Sequence, residues 1–148
     1  MLSCPIETQD IKANLKNRNW AFKNVGYGPA NPADPNVDFW KAKSDMWQTP
    51  LAEAKGMRCK NCAAFIQTPD MLECIKQGIE KGAKDGQSYE EEVQNAANLG
   101  YCELFDFKCA GDRTCDAWLA GGPITATLSS KRKGQLAIHR ASYPEQGK

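Results

Sequence analysis

Histidine is nearly absent: His139 is the only one in 148 residues. One imidazole and scattered carboxylates assemble no nucleophile with a base beside it, so no catalytic residue is assigned and an enzyme is not expected. Any apolar run long enough to span a bilayer is also missing. Met1-Leu2-Ser3-Cys4-Pro5 leads into Glu7 and Asp10 rather than into the apolar stretch of a signal peptide. Net charge is missing too, because 19 Lys and Arg against 18 Asp and Glu leave +1. That balance supplies no broad electrostatic reason for nucleic acid or a membrane surface as partner. Lys131-Arg132-Lys133 has no aromatic residue interleaved with it and reads as a solvated turn. There is no internal repeat and no low-complexity tract. The expectation is one soluble domain, made and kept in the cytoplasm.

Cysteine, by contrast, is plentiful: there are seven, an odd number. A reducing cytoplasm and the odd count both move metal or redox chemistry ahead of disulfides. Cys59-x2-Cys62 curls the chain so that two sulfurs face one centre, as in zinc and iron-sulfur sites alike. A zinc ribbon wants a second such pair, but Cys102, Cys109 and Cys115 follow with six and five residues between them. A bacterial ferredoxin wants a tight triple run before Cys-Pro, and the only Cys-Pro is Cys4-Pro5. At this point zinc, disulfides and free thiols stay open beside an iron-sulfur cluster. Cys4 reads as a plain terminal thiol, and Cys74 either as a buried structural thiol or as the disulfide partner of Cys109.

Periodicity supplies the organisation. Trp20, Phe22, Val25 and Tyr27 alternate as a short strand would, and Pro29, Pro32 and Pro35 predict an extended loop, so residues 1–36 read as an arm. Asp38 is placed to cap a helix over 39–47, with Trp40 and Trp47 on one face seeking a surface. Thr68 with Pro69 opens another helix, with the stripe Leu72, Ile75 and Ile79, ending near Gly82. Ser88-Tyr89-Glu90-Glu91 is a capping box for a further helix running to Gly100. Residues 124–128 and 135–138 alternate around the basic turn and predict a β-hairpin, which puts His139 in a strand.

Three segments match a known family in order. Cys59-Lys60-Asn61-Cys62-Ala63-Ala64-Phe65, then Gly100-Tyr101-Cys102-Glu103-Leu104-Phe105, then Cys115-Asp116-Ala117-Trp118 resemble the high-potential iron-sulfur proteins, whose pattern is Cys-x2-Cys-x2-Phe or Tyr, Gly-x-Cys-x-Leu-Phe and Cys-x-Ala-Trp. The resemblance implies a [4Fe-4S] cluster on Cys59, Cys62, Cys102 and Cys115. Phe65, Leu104, Phe105 and Trp118 would line or shield it, and Tyr27 would match the family's N-terminal tyrosine. It implies a small α+β fold, irregular and loop-rich around the cluster, here with a two-helix insertion over 68–99 and the C-terminal β-hairpin. The domain would run over 57–148, with 1–56 as arm and Trp-rich helix packing on it or on partners. The match covers segments within residues 57–118. It departs in the long gap before Cys102, in the unmatched Cys74 and Cys109, and in lacking the family's export signal.

With its extra cysteines the chain is most similar to the small proteins of this type encoded among structural genes of tailed bacteriophages. That resemblance implies a structural subunit of the virion, in the tail or baseplate, made in the host cytoplasm. The cluster would act as a staple, and the partners would be other virion proteins in a symmetric assembly with multiple copies, with no nucleic acid and no membrane. A one-electron carrier of the family's usual kind and a redox- or iron-sensing interaction protein are the alternatives.

Overall fold

A small antiparallel sheet organises the chain. The computed structural model describes residues 4–28, 36–82 and 98–146. Within them β1 (Phe65–Ile66), β2 (Leu99–Cys102) and β3 (Phe107–Ala110) lie in the order β1-β2-β3. The register sets Phe65 opposite Cys102, Cys102 opposite Phe107, and Gly100 opposite Cys109. Alternation therefore puts Phe65, Gly100, Cys102, Phe107 and Cys109 on one face. A Cβ at Gly100 would meet the Phe65 ring, so glycine is what lets that ring lie across the sheet. Phe65, Phe105 and Phe107 are all buried, each contributing about 1.5–3 kcal/mol by leaving water.

The other face is covered by α1 (Ile6–Gln9) and α5 (Pro69–Gly82). From that face the Tyr101 hydroxyl reaches Glu7 Oε1 at 3.0 Å and Asp106 Oδ1 at 3.1 Å. A disulfide joins Cys4 to Cys74, so neither the terminal-thiol reading of Cys4 nor the pairing of Cys74 with Cys109 holds. The crossing is close: Gln9 Nε2 donates to the Cys74 carbonyl at 2.8 Å, and a Cβ at Gly78 would overlap the Thr8 carbonyl. At the start of α5, Thr68 Oγ1 accepts from Met71 N at 3.2 Å, the cap read from the sequence.

The strand expected over 20–27 is instead α2 (Ile11–Asn24), capped by Asp10, whose side chain accepts from Lys12 N at 2.9 Å. The two-residue alternation there was too short to outweigh a helical spacing, in which Ala21 and Val25, four apart, are both fully buried. This helix seals the sheet edge. Asn14 Oδ1 accepts from Lys108 N at 2.6 Å, and the Tyr27 hydroxyl oxygen accepts from Ala110 N at 2.9 Å, so β3 offers fewer free N–H groups. Ala21, Val25 and Tyr27 belong to the same core as Phe65 and Phe107. The proline-rich loop over 29–35 lies outside the described residues.

Helix α3 (Val37–Trp47) begins two residues before the expected start; Asp38 lies in its first turn, and Asn36 precedes it without a side-chain cap. Trp40 is buried beneath the Arg58 guanidinium, 4.4 Å from its ring centre, so this anchor packs within its own chain. A short α4 (Leu51–Gly56) leads to a 3-10 turn, Cys59–Asn61. Most of the second insertion helix lies outside the described residues; its expected end, Leu99 and Gly100, is strand β2.

The C-terminal hairpin is not formed. Its second arm is α6 (Ser130–Arg140), capped by Ser129 Oγ accepting from Arg132 N at 3.1 Å. The basic run is the first turn of this helix. Leu136 is buried while Ile138 is 76% exposed, so only one of the two alternating apolar residues meets the core. Lys, Arg and Leu are good helix formers, and the capping serine decided the outcome. Of the first arm, Ile124 makes an isolated parallel bridge to Ile66.

Candidate metal centre

Two sulfurs come from the 3-10 turn. Asn61 Oδ1 reaches back to accept from Arg58 N at 3.0 Å, and Cys62 N donates to the Cys59 carbonyl at 2.9 Å. The turn is tied to the segment that follows β3: Cys59 N donates to Arg113 O at 2.7 Å, and Lys60 N to Gly111 O at 2.9 Å. Cys102 ends β2, Cys109 lies in β3, and Cys115 opens the segment that ends at Trp118. These five are all free thiols. They line one cavity of about 20 Å3, closed otherwise by Ala64, Phe65 and Leu104.

The expected residues divide by distance from that cavity. Cys59, Cys62, Cys102, Cys115, Phe65 and Leu104 line it. Phe105 is buried behind it against Trp20 and Tyr143, with ring centres 5.3 and 5.9 Å away. Trp118 closes the 3-10 turn from outside, its Nε1 donating to Arg58 O at 2.8 Å and Asn61 Oδ1 at 3.0 Å. Tyr27 stands against β3 next to Cys109, its hydroxyl oxygen accepting from Ala110 N at 2.9 Å. Burial first, then the Cys109 and Cys59 charges, push the Tyr27 hydroxyl well above its usual range.

Four of the thiols, Cys59, Cys62, Cys102 and Cys115, are pushed up by their surroundings. A hydrogen bond with Cys109, then burial, push Cys59 up; burial raises Cys62, Cys102 and Cys115. Backbone groups act against that rise. The N–H groups of Ala64 and Leu119 face the Cys62 sulfur, Phe105 faces Cys102, and Ala117 faces Cys115. Such donors favour thiolate, and they are what a sulfur-bound metal group needs from its protein.

Charged side chains brace the same loops. The Arg132 guanidinium donates to the carbonyls of Ala63 at 2.9 Å, Gly122 at 3.1 Å and Gly121 at 3.2 Å, and its charge favours Cys62 thiolate. Lys43, buried on α3, pairs with Asp116 beside Cys115. Trp47 Nε1 donates to the Asp116 carbonyl at 3.3 Å, and His139 Nε2 lies 2.8 Å from the Ala117 carbonyl. His139 is thus on a helix and directed at backbone.

Sequence reasoning left Cys109 outside the site and missed Arg132, Lys43 and Asp116. Phe107-Lys108-Cys109 carried a signal for the first, since a cysteine two residues from a core phenylalanine shares its face of a strand. The donor set suits soft iron-sulfur chemistry: five sulfurs, hydrocarbon walls and convergent N–H groups. Among the described residues no three Cys, His, Asp or Glu side chains converge as ligands of one metal ion. A cubane differs from a single ion in taking one thiolate at each of four corners, so its ligands stand further apart. Comparison with protein families, curated proteins and solved structures finds no match to this chain.

Proposed function

We propose that this chain binds a [4Fe-4S] cluster in the five-thiol cavity and uses it as a structural staple within a phage virion. The observation that carries the reading is the convergence of five free thiols from separate segments on one apolar cavity. When bound, the cluster supplies iron-thiolate cross-links between those segments and a one-electron couple. The chain's own residues do the rest. Phe65 and Leu104 exclude water, the N–H groups of Ala64, Phe105, Ala117 and Leu119 orient sulfur, and Arg132 ties the loop beside Cys62. The strands here are only two to four residues long, so cross-links add what backbone pairing lacks.

The virion setting follows from the resemblance of the cysteine segments. Exposed Ile6, Ile11, Leu15 and Phe22 along α1 and α2 support contact with neighbouring proteins. A second reading, the one-electron carrier, is favoured by one observation: Cys102 and Cys115 are the partly exposed members of the set, and a carrier needs an exposed cluster edge.

Anaerobic reconstitution with ferrous iron and sulfide tests the premise. The expected result is a full cluster per chain, with thiolate-to-iron charge-transfer absorption and an even-electron resting state by EPR. Stoichiometric zinc in place of iron, or no bound iron, would overturn it.

A further inference from the structure

Helix α2 packs on the sheet edge through Asn14 and Ala21 and turns another face to solvent. Ile11, Leu15, Arg18 and Phe22 follow at spacings of four, three and four residues, which sets them in one stripe about 16 Å long. Ile11 is 54% exposed, and Leu15 and Phe22 are each 38% exposed. Lys12, Lys16 and Lys23 are exposed beside that stripe. Charge on this face has one sign: the whole chain is nearly neutral, yet no Asp or Glu occurs from Ile11 to Gly28. Among the described residues the ion pairs are Lys43 with Asp116 and Lys60 with Asp112, so the cations of α2 have no carboxylate partner. Phe22 lies against two guanidinium groups, those of Arg18 and Arg113, each 5.4 Å from its ring centre. Arg18 Nε is buried and has no hydrogen-bond partner.

We infer that this face of α2 is the docking surface for an acidic amphipathic helix of a partner protein, one with an apolar stripe and Asp or Glu beside it. The inference rests on the proposed contact with neighbouring proteins, names the chemistry of the neighbour, and is independent of the cluster. Three turns of apolar stripe match one face of a helix of similar length. Its carboxylates pair with Lys12, Lys16 and Lys23 and compensate the Arg18 charge. Arg in contact with a half-exposed aromatic ring is the composition of an interface hot spot. Other occupants fit this face less well. A second copy would set Lys against Lys, since an isologous contact brings each patch onto itself. A lipid surface takes side chains that stand clear of the protein, and Leu15 and Phe22 are already more than half covered. A nucleic acid stacks its bases on open aromatic faces, whereas guanidinium groups stand over the Phe22 ring.

The test titrates the full chain against a labelled synthetic helix with Leu at spacings of four, three and four and Glu beside them, read by fluorescence anisotropy. A comparison peptide has Lys at every Glu. The Glu peptide should bind saturably, about tenfold more weakly at about 300 mM salt than at about 50 mM, and the Lys peptide should not bind. Lys12→Glu with Lys16→Glu and Lys23→Glu, and separately Ile11→Ser with Leu15→Ser, should each weaken binding about tenfold or more, with circular dichroism unchanged. Lys131→Glu with Lys133→Glu should bind as wild type does, because the charge it removes is on α6. If the serine pair does not fold, the charge variant decides, since the side chains it replaces are exposed. No saturation below about 1 mM, equal binding of the Lys peptide, or equal weakening by the α6 variant would overturn the inference. So would tighter binding of phosphatidylserine vesicles or single-stranded RNA that the α2 substitutions abolish, or a dimer that the Glu peptide does not dissociate. A chain that binds the Glu peptide as expected but is absent from the virion would uphold this surface and overturn the virion reading.

Discussion

Without metal, four of the cavity thiols hold their protons more tightly than they would in an unfolded chain, since burial raises Cys62, Cys102 and Cys115, and the Cys109 side chain and burial raise Cys59. A thiol whose folded value is raised contributes stability that is present below the unfolded value, about 8.5, and is lost as pH rises toward the folded one. Iron-free protein should therefore unfold at progressively lower urea concentration between pH 8 and pH 10, and an unchanged midpoint would show that the thiols are not buried as described. Ligation reverses the demand, because iron needs thiolate. Cys102→Ala and Cys115→Ala should each lose bound iron, whereas Cys4→Ser with Cys74→Ser should keep it. That second pair should instead lower stability by about 2–4 kcal/mol, from the opened cross-link. Thiol titration in denaturant without reductant should count five, and seven after reduction, the difference being the Cys4–Cys74 bond.

At the scale of the element, α3 and α6 act as braces for the cysteine-bearing loops, through Lys43 and Trp47 on Asp116 and through Arg132 on Ala63, Gly121 and Gly122. Lys43→Met should leave Asp116 without its buried partner and cost about 3 kcal/mol. It should also free Trp47 from the Asp116 carbonyl, visible as a shift in tryptophan fluorescence; a variant as stable as wild type would show that the pair is not buried. On α6, Ser129→Ala removes the cap and should cost about 1 kcal/mol, with cluster content unchanged because Arg132 still reaches Ala63, Gly121 and Gly122. The crossing of α1 and α5 is less forgiving. Gly78→Leu drives a side chain into the Thr8 carbonyl, and overpacking of this kind costs about 1–3 kcal/mol or more, readable as a lowered urea midpoint.

For the whole molecule, staple and carrier make opposite demands. A staple stays with its neighbours at fixed stoichiometry, while a carrier leaves its partner after each exchange. Mass spectrometry of purified particles should find this chain at constant stoichiometry, and removal of the cluster should impair assembly. Absence from the particle, together with rapid reversible electron exchange with a soluble partner, would favour the carrier. The interface is better sought on α1 and α2, where Ile6, Ile11, Leu15 and Phe22 are exposed, than on the face of Trp40, which Arg58 already covers.

Short-range chemistry was legible in the residue order. Cys59-x2-Cys62 specifies a tight turn, Thr68-Pro69 starts a helix, and the α+β character follows from elements of both kinds. Alternation over a few residues misled at 20–27 and at 135–138, because a pattern that short is shared by a strand and by a helix whose buried residues lie four apart. Tertiary structure alone decided the cysteines. Which sulfurs meet depends on β2 and β3 pairing across a turn, on the 3-10 turn docking to Gly111 and Arg113, and on α1 crossing α5. Those contacts join residues far apart in sequence, so spacing along the chain could propose four ligands but not bring the fifth thiol into the same cavity or join Cys4 to Cys74.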